Sequence, residues 1–284
     1  MRKCLTIGIL FFLSVLFVSA QQKETLVLIK TNMGNIKIKL YNTTPKHRDN
    51  FIKLINKKYY DSLLFHRVMK DFMIQAGDPE SKHAPKSKQL GSGGPNYTIP
   101  AEFHPELIHK KGALAAARSG DEVNPLKASS GSQFYIVVGK VYSDNSLSQI
   151  ETKLNENRKQ NHVREYLNRP ENKALKNEIG KYQKEHNIAK LDSIGDKVVK
   201  IIDENYKNEP AIKFSEQQRN IYKTIGGTPF LDMNYTVFGE VVEGLDVVDK
   251  IAAVETLPGD RPTNDVIILS ARIVPEYKIK ICPN

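Results

Sequence analysis

Apolar and polar residues alternate along residues 24–41, and this period of two is typical of strands that bury one face. The alternation stops at the tetrapeptide Asn-Met-Gly-Asn at residues 32–35, so we predict a β-hairpin with its turn there. The apolar spacing then changes to three and four residues at Phe51, Leu54 and Ile55, which predicts a helix.

Short apolar runs bounded by glycine and polar residues continue along most of the chain and predict further strands. These strands cover residues 63–68, 72–76, 113–117, 134–138, 237–241 and 266–274. Leu245, Val248 and Ile251 share one face of a second predicted helix. Many short strands and two helices favour a mainly β fold, a closed antiparallel barrel with helices over its ends.

Residues 141–224 interrupt this succession of strands. They contain 16 Lys and Arg and 13 Asp and Glu in 84 positions, a higher density of charge than the 26% of the whole chain. Their apolar residues, such as Ile194 and Val198, recur every three or four positions, so we predict an α-helical insertion that packs against the barrel. Breaks between its helices are predicted near Pro170, Gly195 and Pro210.

The first twenty residues have the features of a secretory signal peptide: a basic start, an apolar run and small residues before a polar segment. Cleavage is expected after Ala20, and the protein is expected to be exported, either to a periplasm or outside the cell. An uncleaved anchor is the alternative, but the apolar run is short for a span of about 20 residues. After cleavage we expect no membrane association, and Cys282 alone cannot form an internal disulfide.

The predicted organisation therefore has four parts. They are a signal peptide at residues 1–20, the first part of the barrel at 21–140, the charged insertion at 141–224, and the second part of the barrel with a C-terminal tail at 225–284.

The composition is that of a globular protein, since 40% of the 284 residues are hydrophobic and 26% are charged. Collagen-like, disordered and membrane-bundle classes are thereby excluded. Lys and Arg outnumber Asp and Glu by 42 to 32, giving a formal net charge of +10. Because basic and acidic residues are interspersed, we expect a solvated surface and no nucleic-acid partner.

The residues of common catalytic sites do not occur in their usual patterns. His104 and His109 are five positions apart, which does not place two ligands on one helix face, and no cysteine or acidic cluster accompanies them. We therefore expect no metal site. Ser129, Ser130 and Ser132 lack the Gly-x-Ser-x-Gly pattern of a serine hydrolase. The glycines at residues 91–94 indicate a turn, because no Gly-Lys-Ser/Thr follows them.

One arginine stands among apolar residues. Arg67 lies in a predicted strand, and Gln75 follows it in the next one. Spacing alone favours a structural salt bridge, for which Glu102 is an available partner. The segments Gly-Ser-Gln-Phe-Tyr at 131–135 and Thr-Pro-Phe-Leu-Asp at 228–232 add amides and aromatic rings, and together they favour an apolar slot with a fixed cation.

These segments resemble the motifs of the cyclophilins, the peptidyl-prolyl cis-trans isomerases. The motifs occur in the family's usual order as Phe65-His66-Arg67, Phe72-Met73-x-Gln75-x-Gly77-Asp78 and Gly131-Ser132-Gln133-Phe134. The resemblance covers roughly residues 24–140 and 225–275. It implies an eight-stranded antiparallel barrel capped by two α-helices, and an isomerase that needs no cofactor.

The resemblance also implies roles for individual residues. Arg67 is expected to be the catalytic arginine and Gln75 the residue that orients it. The proline ring is expected among Phe72, Met73, Tyr135 and Leu231. The groove for the preceding residues is expected along Ala117, Arg118 and Gln133, with Phe230 and Tyr235 on its rim. The chain departs from the family at Phe230, Tyr235, Tyr135 and Arg118, where Trp, His, Phe and Asn are usual, so substrate preference and binding of cyclosporin-like ligands are expected to differ.

The implied function is isomerisation of X–Pro bonds in exported proteins during folding, with proline-containing peptides and unfolded exported proteins as partners. The alternative is a non-catalytic chaperone or adaptor that binds proline-containing segments. A third possibility is binding of acidic surfaces or nucleic acid through the positive charge. Both ends of the insertion should emerge beside the groove, so we hypothesise that it selects or holds protein substrates; a purely structural helical cover is the other interpretation.

Overall fold

The computed structural model describes residues 23–275. The predicted signal peptide, its cleavage site and Cys282 lie outside the described residues. Within residues 23–275, no helix is long and apolar enough to span a bilayer.

The centre of the molecule is a curled eight-stranded sheet in which every neighbouring pair is antiparallel, so the strand number and direction predicted from the sequence are confirmed. Its strands are β1 (Thr25–Thr31), β2 (Gly34–Leu40), β3 (Phe65–Met69), β4 (Met73–Ala76), β6 (Ala113–Ala116), β8 (Phe134–Val137), β9 (Val237–Glu243) and β10 (Ile268–Val274). Two short strands, β5 (Thr98–Ile99) and β7 (Ser129–Ser130), pair separately. The order across the large sheet is β10-β1-β2-β9-β6-β8-β4-β3.

The sheet is an open half-barrel, and the prediction of a closed barrel is wrong. Its edge strands β10 and β3 share an isolated bridge between Leu64 and Ile267 and no continuous ladder. The body of β3 instead faces the loop before β10, as the Val68 amide donates to the Asp260 carbonyl at 2.8 Å. The two edge strands meet only where each begins, which leaves too few paired residues to close the sheet.

Two helices cover the main core, as predicted. The apolar face of α1 (Pro45–Asn56) buries Phe51 and Leu54, and that of α6 (Leu245–Ala252) buries Val248 and Ile251. These side chains pack against the concave face of the sheet, to which each strand contributes every second residue. The other face of the sheet is thereby left available for a site.

Four helices lie between β8 and β9: α2 (Asp144–Asn168), α3 (Lys173–Lys184), α4 (Ile188–Asn205) and α5 (Glu216–Thr224). Helix α2 ends just before Pro170, as predicted, but the break predicted at Gly195 is wrong. Gly195 lies inside α4 because its neighbours Ile194 and Val198 form a buried stripe, which outweighs a glycine cost of about 1 kcal/mol.

Candidate functional site

The predicted site residues lie on the convex face of the sheet, opposite the main core. Arg67 on β3 is directly across from Gln75 on β4, Gln75 from Tyr135 on β8, and Tyr135 from Ala115 on β6. Directly opposed side chains on adjacent strands lie on the same face, about 5 Å apart at Cβ. The strand register therefore places the guanidinium, an amide and an aromatic ring in one row across the sheet.

An apolar cluster adjoins this row. Met73, Tyr135 and Leu231 are buried together, and Phe72 and Tyr235 pack against them partly exposed. The Tyr135 and Tyr235 rings meet edge to face with centroids 6.0 Å apart. The residues predicted to hold a proline ring, Phe72, Met73, Tyr135 and Leu231, are thus in one place.

The Arg67 side chain is 41% exposed at the edge of an open cleft of about 530 Å³ that Gln75 also lines. Its Nε donates to Asp260 Oδ2 at 3.3 Å and its Nη2 to Met69 Sδ at 3.1 Å. Glu102, the available partner named from the sequence, does not pair with Arg67. Its Oε2 lies 2.7 Å from Nδ1 of His47 instead. An ion pair as exposed as Arg67–Asp260 contributes at most about 1 kcal/mol, so a structural salt bridge is a weak explanation for this arginine.

Two glutamines form a fixed polar edge beside the arginine. Gln75 donates from Nε2 to Gln133 Oε1 at 2.9 Å, and Gln133 in turn donates to the carbonyls of Gly91 and Gly93 at 2.9 and 2.7 Å. Gln133 is buried, so each of these bonds is protected from water. Gln75 is held by Gln133 and faces Arg67 across the strands; that it orients Arg67 stays a prediction.

The glycine loop beside Gln133 is shaped by a buried carboxylate. Asp78 accepts the Gly91 amide at 2.6 Å and the Gly93 amide at 3.3 Å. A side chain at position 93 would collide with the Asp78 carboxylate, so glycine is required there by close approach. With Gln75, Ala117, Arg118 and Gln133, this loop lines a cleft of about 620 Å³ where the groove for the preceding residues was predicted.

The residues predicted on the groove rim, Phe230 and Tyr235, lie beside the apolar cluster. Phe230 is 41% exposed and stacks on Phe72 with ring centroids 5.7 Å apart. The Arg118 guanidinium lies 4.5 Å from the centre of the Tyr235 ring and forms an ion pair with Asp121 at 2.6 Å. The Arg118 guanidinium also donates to the Asn234 and Ser119 carbonyls, so this side chain is held in place by the protein itself.

Sequence reasoning missed a buried hydrogen-bonded chain under the apolar cluster. The His109 ring lies 3.0 Å from the Tyr135 hydroxyl through Nε2 and 2.9 Å from Asp232 Oδ1 through Nδ1. The other carboxylate oxygen of Asp232 accepts from the Tyr222 hydroxyl at 2.6 Å. Since a carboxylate only accepts, Nδ1 of a neutral His109 carries the proton and Tyr135 donates to Nε2. No sequence pattern links these four residues, so their contacts can be seen only in the folded structure.

His66, next to Arg67 in the sequence, is also buried. Burial lowers the pKa of His66 to about 4, because the charged ring would lose its hydration. Neither of its ring nitrogens has a hydrogen-bond partner among residues 23–275. The ring is therefore neutral at physiological pH, and it lies in the lining of the cleft that Arg67 and Gln75 also line.

The arrangement is an apolar cluster with a half-exposed guanidinium beside it and amides along its edge. Within the described part of the chain, no group of three or more His, Cys, Asp or Glu residues could hold a metal ion. Such a site can grip an apolar ring and place a fixed positive charge beside it. It offers hydrogen bonds and charge to a bound amide group.

Comparisons with known proteins agree on one family. The family model described as cyclophilin type peptidyl-prolyl cis-trans isomerase/CLD matches residues 26–163 and 213–273. A Staphylococcus aureus (strain USA300) protein named "Putative peptidyl-prolyl cis-trans isomerase" is 30% identical over 254 residues, covering 88% of this chain and 92% of the relative. A protein of the same name from Staphylococcus saprophyticus is 29% identical over 255 residues, with the same coverage.

The fold of this chain also resembles that of a solved structure. The crystal structure of a Cryptosporidium parvum cyclophilin type peptidyl-prolyl cis-trans isomerase aligns with a TM-score of 0.51 and 19% identity. The alignment covers 90% of this chain and 100% of that one.

Proposed function

Because this chain belongs to the cyclophilin-type peptidyl-prolyl cis-trans isomerases, we propose that it accelerates X–Pro rotation in exported proteins as they fold, with Arg67 as the catalytic group. The observation that carries the proposal is the row of Arg67, Gln75 and Tyr135 across three adjacent strands. This row places the Arg67 guanidinium at the edge of the apolar cluster that we propose binds the proline ring.

The chemistry needs a charge at a particular atom. An X–Pro bond isomerises in tens to hundreds of seconds because rotation breaks the amide conjugation. In the twisted state the proline nitrogen regains a lone pair that the planar ground states lack. A guanidinium that donates to this nitrogen stabilises the twisted state more than either isomer, and this difference lowers the barrier.

The apolar cluster holds one side of the rotating bond. Phe72, Met73, Tyr135 and Leu231 bury the proline ring, while Ala117, Arg118 and Gln133 bind the preceding backbone. With the ring fixed, the carbonyl on the other side of the bond turns. Arginine suits the catalytic role because it stays charged at all physiological pH values and its planar fork has rigid donors.

A direct test separates this enzyme from a non-catalytic binder of proline segments. Isomerisation of an X–Pro tetrapeptide and suppression of aggregation of an unfolded client are measured separately on residues 21–284. We expect peptide turnover in proportion to enzyme concentration. Aggregation suppression without turnover would favour a chaperone or adaptor.

Export is the second part of the proposal, and its support is the apolar run between a basic start and small residues at positions 1–20. We expect the protein isolated from its source to begin at Gln21 and to fractionate with periplasmic or secreted proteins. A native N-terminus at Met1 with recovery in the cytoplasm would contradict this.

A further inference from the structure

A large cavity adjoins the predicted groove on the side of the helical insertion. Its volume is about 920 Å³, at the upper end of the roughly 300–1,000 Å³ usual for ligand sites. Phe230 and Tyr235 of the groove rim and the neighbouring Met233 line one wall, and Leu154, Asn157 and Asn161 of the insertion line the other. Phe230 and Tyr235 belong to the groove rim as well, so the cavity continues the groove.

Exposed apolar side chains are concentrated on the groove side of this cavity. Phe230 is 41%, Met233 47% and Val123 79% exposed, although each is a large apolar residue. Exposed apolar side chains gathered in one cavity beside a binding groove are typical of a surface that another molecule covers. The insertion adds Leu154 and Phe214 to the floor.

The charges of the cavity are largely paired within the protein. Arg118 pairs with Asp121 at 2.6 Å, and Arg158 reaches Glu209 at 3.3 Å. The Asp232 carboxylate is occupied by His109 and Tyr222. With Glu122, Lys127 and Arg164 included, the lining has four basic and four acidic side chains and no net charge, so the cavity favours apolar side chains over a strongly charged ligand.

The insertion wall is fixed to the body of the enzyme. Glu151 of α2 accepts the Phe214 amide at 2.7 Å and also pairs with Arg219 of α5 at 2.7 Å. Helix α5 is tied to the site through the Tyr222–Asp232 hydrogen bond of 2.6 Å. The two walls of the cavity therefore keep a defined separation, as a binding site requires.

We propose that this cavity is an extended substrate site, in which the insertion and the groove rim hold the unfolded polypeptide that flanks the X–Pro bond. The occupant is a segment with a bulky apolar side chain within a few residues of proline. The proposal rests on the proposed function, since continuity with the proline groove identifies the occupant as the same polypeptide.

The test compares matched peptides that share one X–Pro tetrapeptide core. The core is extended by five residues on its N-terminal or C-terminal side, with either Phe or Ser in the middle of the extension. We expect kcat/KM to be about tenfold higher for one Phe-extended peptide than for its Ser counterpart, through a lower KM, because an aromatic side chain leaves water.

Four variants, one of them a control, locate the effect. Asn157→Trp and Asn161→Trp fill the cavity from the insertion wall, while Asn145→Trp makes the same change on α2 outside the cavity lining. Met233→Asn removes apolar surface at a position with φ of 59°, a conformation that asparagine tolerates. We expect the first two and Met233→Asn to abolish the preference for Phe and Asn145→Trp to keep it, with turnover of the core unchanged in all four.

Each outcome is decisive. Equal kcat/KM for the Phe and Ser peptides in the wild type, with the core still turned over, overturns the extended site and leaves the proposed function intact. An equal loss of preference in Asn145→Trp also overturns it. If the wild type fails to turn over the core, the proposed function itself has failed.

Discussion

At the scale of single residues, the site depends on which polar groups have hydrogen-bond partners within the protein and which remain exposed to a ligand. The buried Gln133 side chain has three hydrogen bonds, whereas Arg67 is anchored at one edge and remains two-fifths exposed. Rigid amides beside a reachable cation are suited to a reaction that needs positioning and charge. The Tyr135 hydroxyl has a structural role, because it points away from the groove and joins the buried hydrogen-bonded chain of His109 and Asp232.

Removing that hydroxyl tests the buried chain. We expect Tyr135→Phe to lower the free energy of unfolding by about 1–3 kcal/mol, since His109 Nε2 would be left buried without its donor. Because the ring remains, kcat/KM for a tetrapeptide should change little. Urea unfolding measures the stability, and Tyr182→Phe on α3, outside this network, is the control. A loss of stability no larger than in that control would contradict the chain.

The buried His66 predicts a pH dependence. Its folded pKa of about 4 lies below the usual value of 6.5, so the unfolded chain binds a proton that the native protein excludes. The free energy of unfolding should therefore fall as the pH drops from about 6.5 to 4, by up to roughly 3 kcal/mol from this residue.

His66→Phe removes the titrating group and isolates this contribution. We expect urea unfolding at pH 7 and pH 4.5 to show a smaller loss of stability in the variant than in the wild type. His47 also has a pKa lowered by burial, so part of the dependence should remain. The same loss in both proteins would show that His66 does not titrate as inferred.

At the scale of elements, strand alternation separates two functions in one sheet. On β8, Phe134 and Ile136 enter the main core while Tyr135 and Val137 form the opposite face. The insertion helices are built differently. The inner pair, α2 and α5, packs on Ile108 through Leu147 and Tyr222, whereas α3 contributes no buried residue.

This difference predicts unequal local stability. Helices α3 and α4 are joined by a small apolar cluster around Ile194, Val198 and Ile202, so they should open at a lower free energy than the sheet. Hydrogen exchange should deuterate residues 173–205 well before the strands β6 and β8. Protection of α3 equal to that of β8 would show that the insertion and the barrel unfold as one unit.

Elements that depend on local periodicity could be predicted from the sequence. Contacts between residues far apart in the chain could not. Alternating or short apolar runs predict each of the eight sheet strands, whereas the site residues follow from the resemblance to the cyclophilin motifs. Charge alone made Glu102 an available partner for Arg67, but it says nothing about distance. The actual partner is Asp260, which is 193 positions away in the chain. The open edge between β3 and β10 likewise depends on loop paths that no spacing encodes.

At the scale of the whole molecule, the formal charge of +10 is spread over a surface of interspersed ion pairs. Removal of residues 1–20 takes away two basic residues and no acidic one, which leaves 40 − 32 = +8. Such a charge attracts acidic polymers weakly and without specificity.

We expect the chain of residues 21–284 to bind a DNA duplex only at low salt. Raising the salt from about 50 to 200 mM should release it, because each contact depends on displaced counterions. Fluorescence anisotropy with a labelled duplex measures the release. Affinity independent of salt would contradict a purely electrostatic attraction and would support a nucleic-acid site.

The most direct measurement is the turnover of an X–Pro tetrapeptide by Arg67→Ala beside Arg272→Ala. The two arginines are matched, since their side chains are 41% and 42% exposed and each pairs with one aspartate. We expect Arg67→Ala to lower kcat/KM tenfold or more, about 1.4 kcal/mol of barrier for each factor of ten, and Arg272→Ala to leave it unchanged. Full activity in a folded Arg67→Ala protein would contradict the catalytic role of this guanidinium.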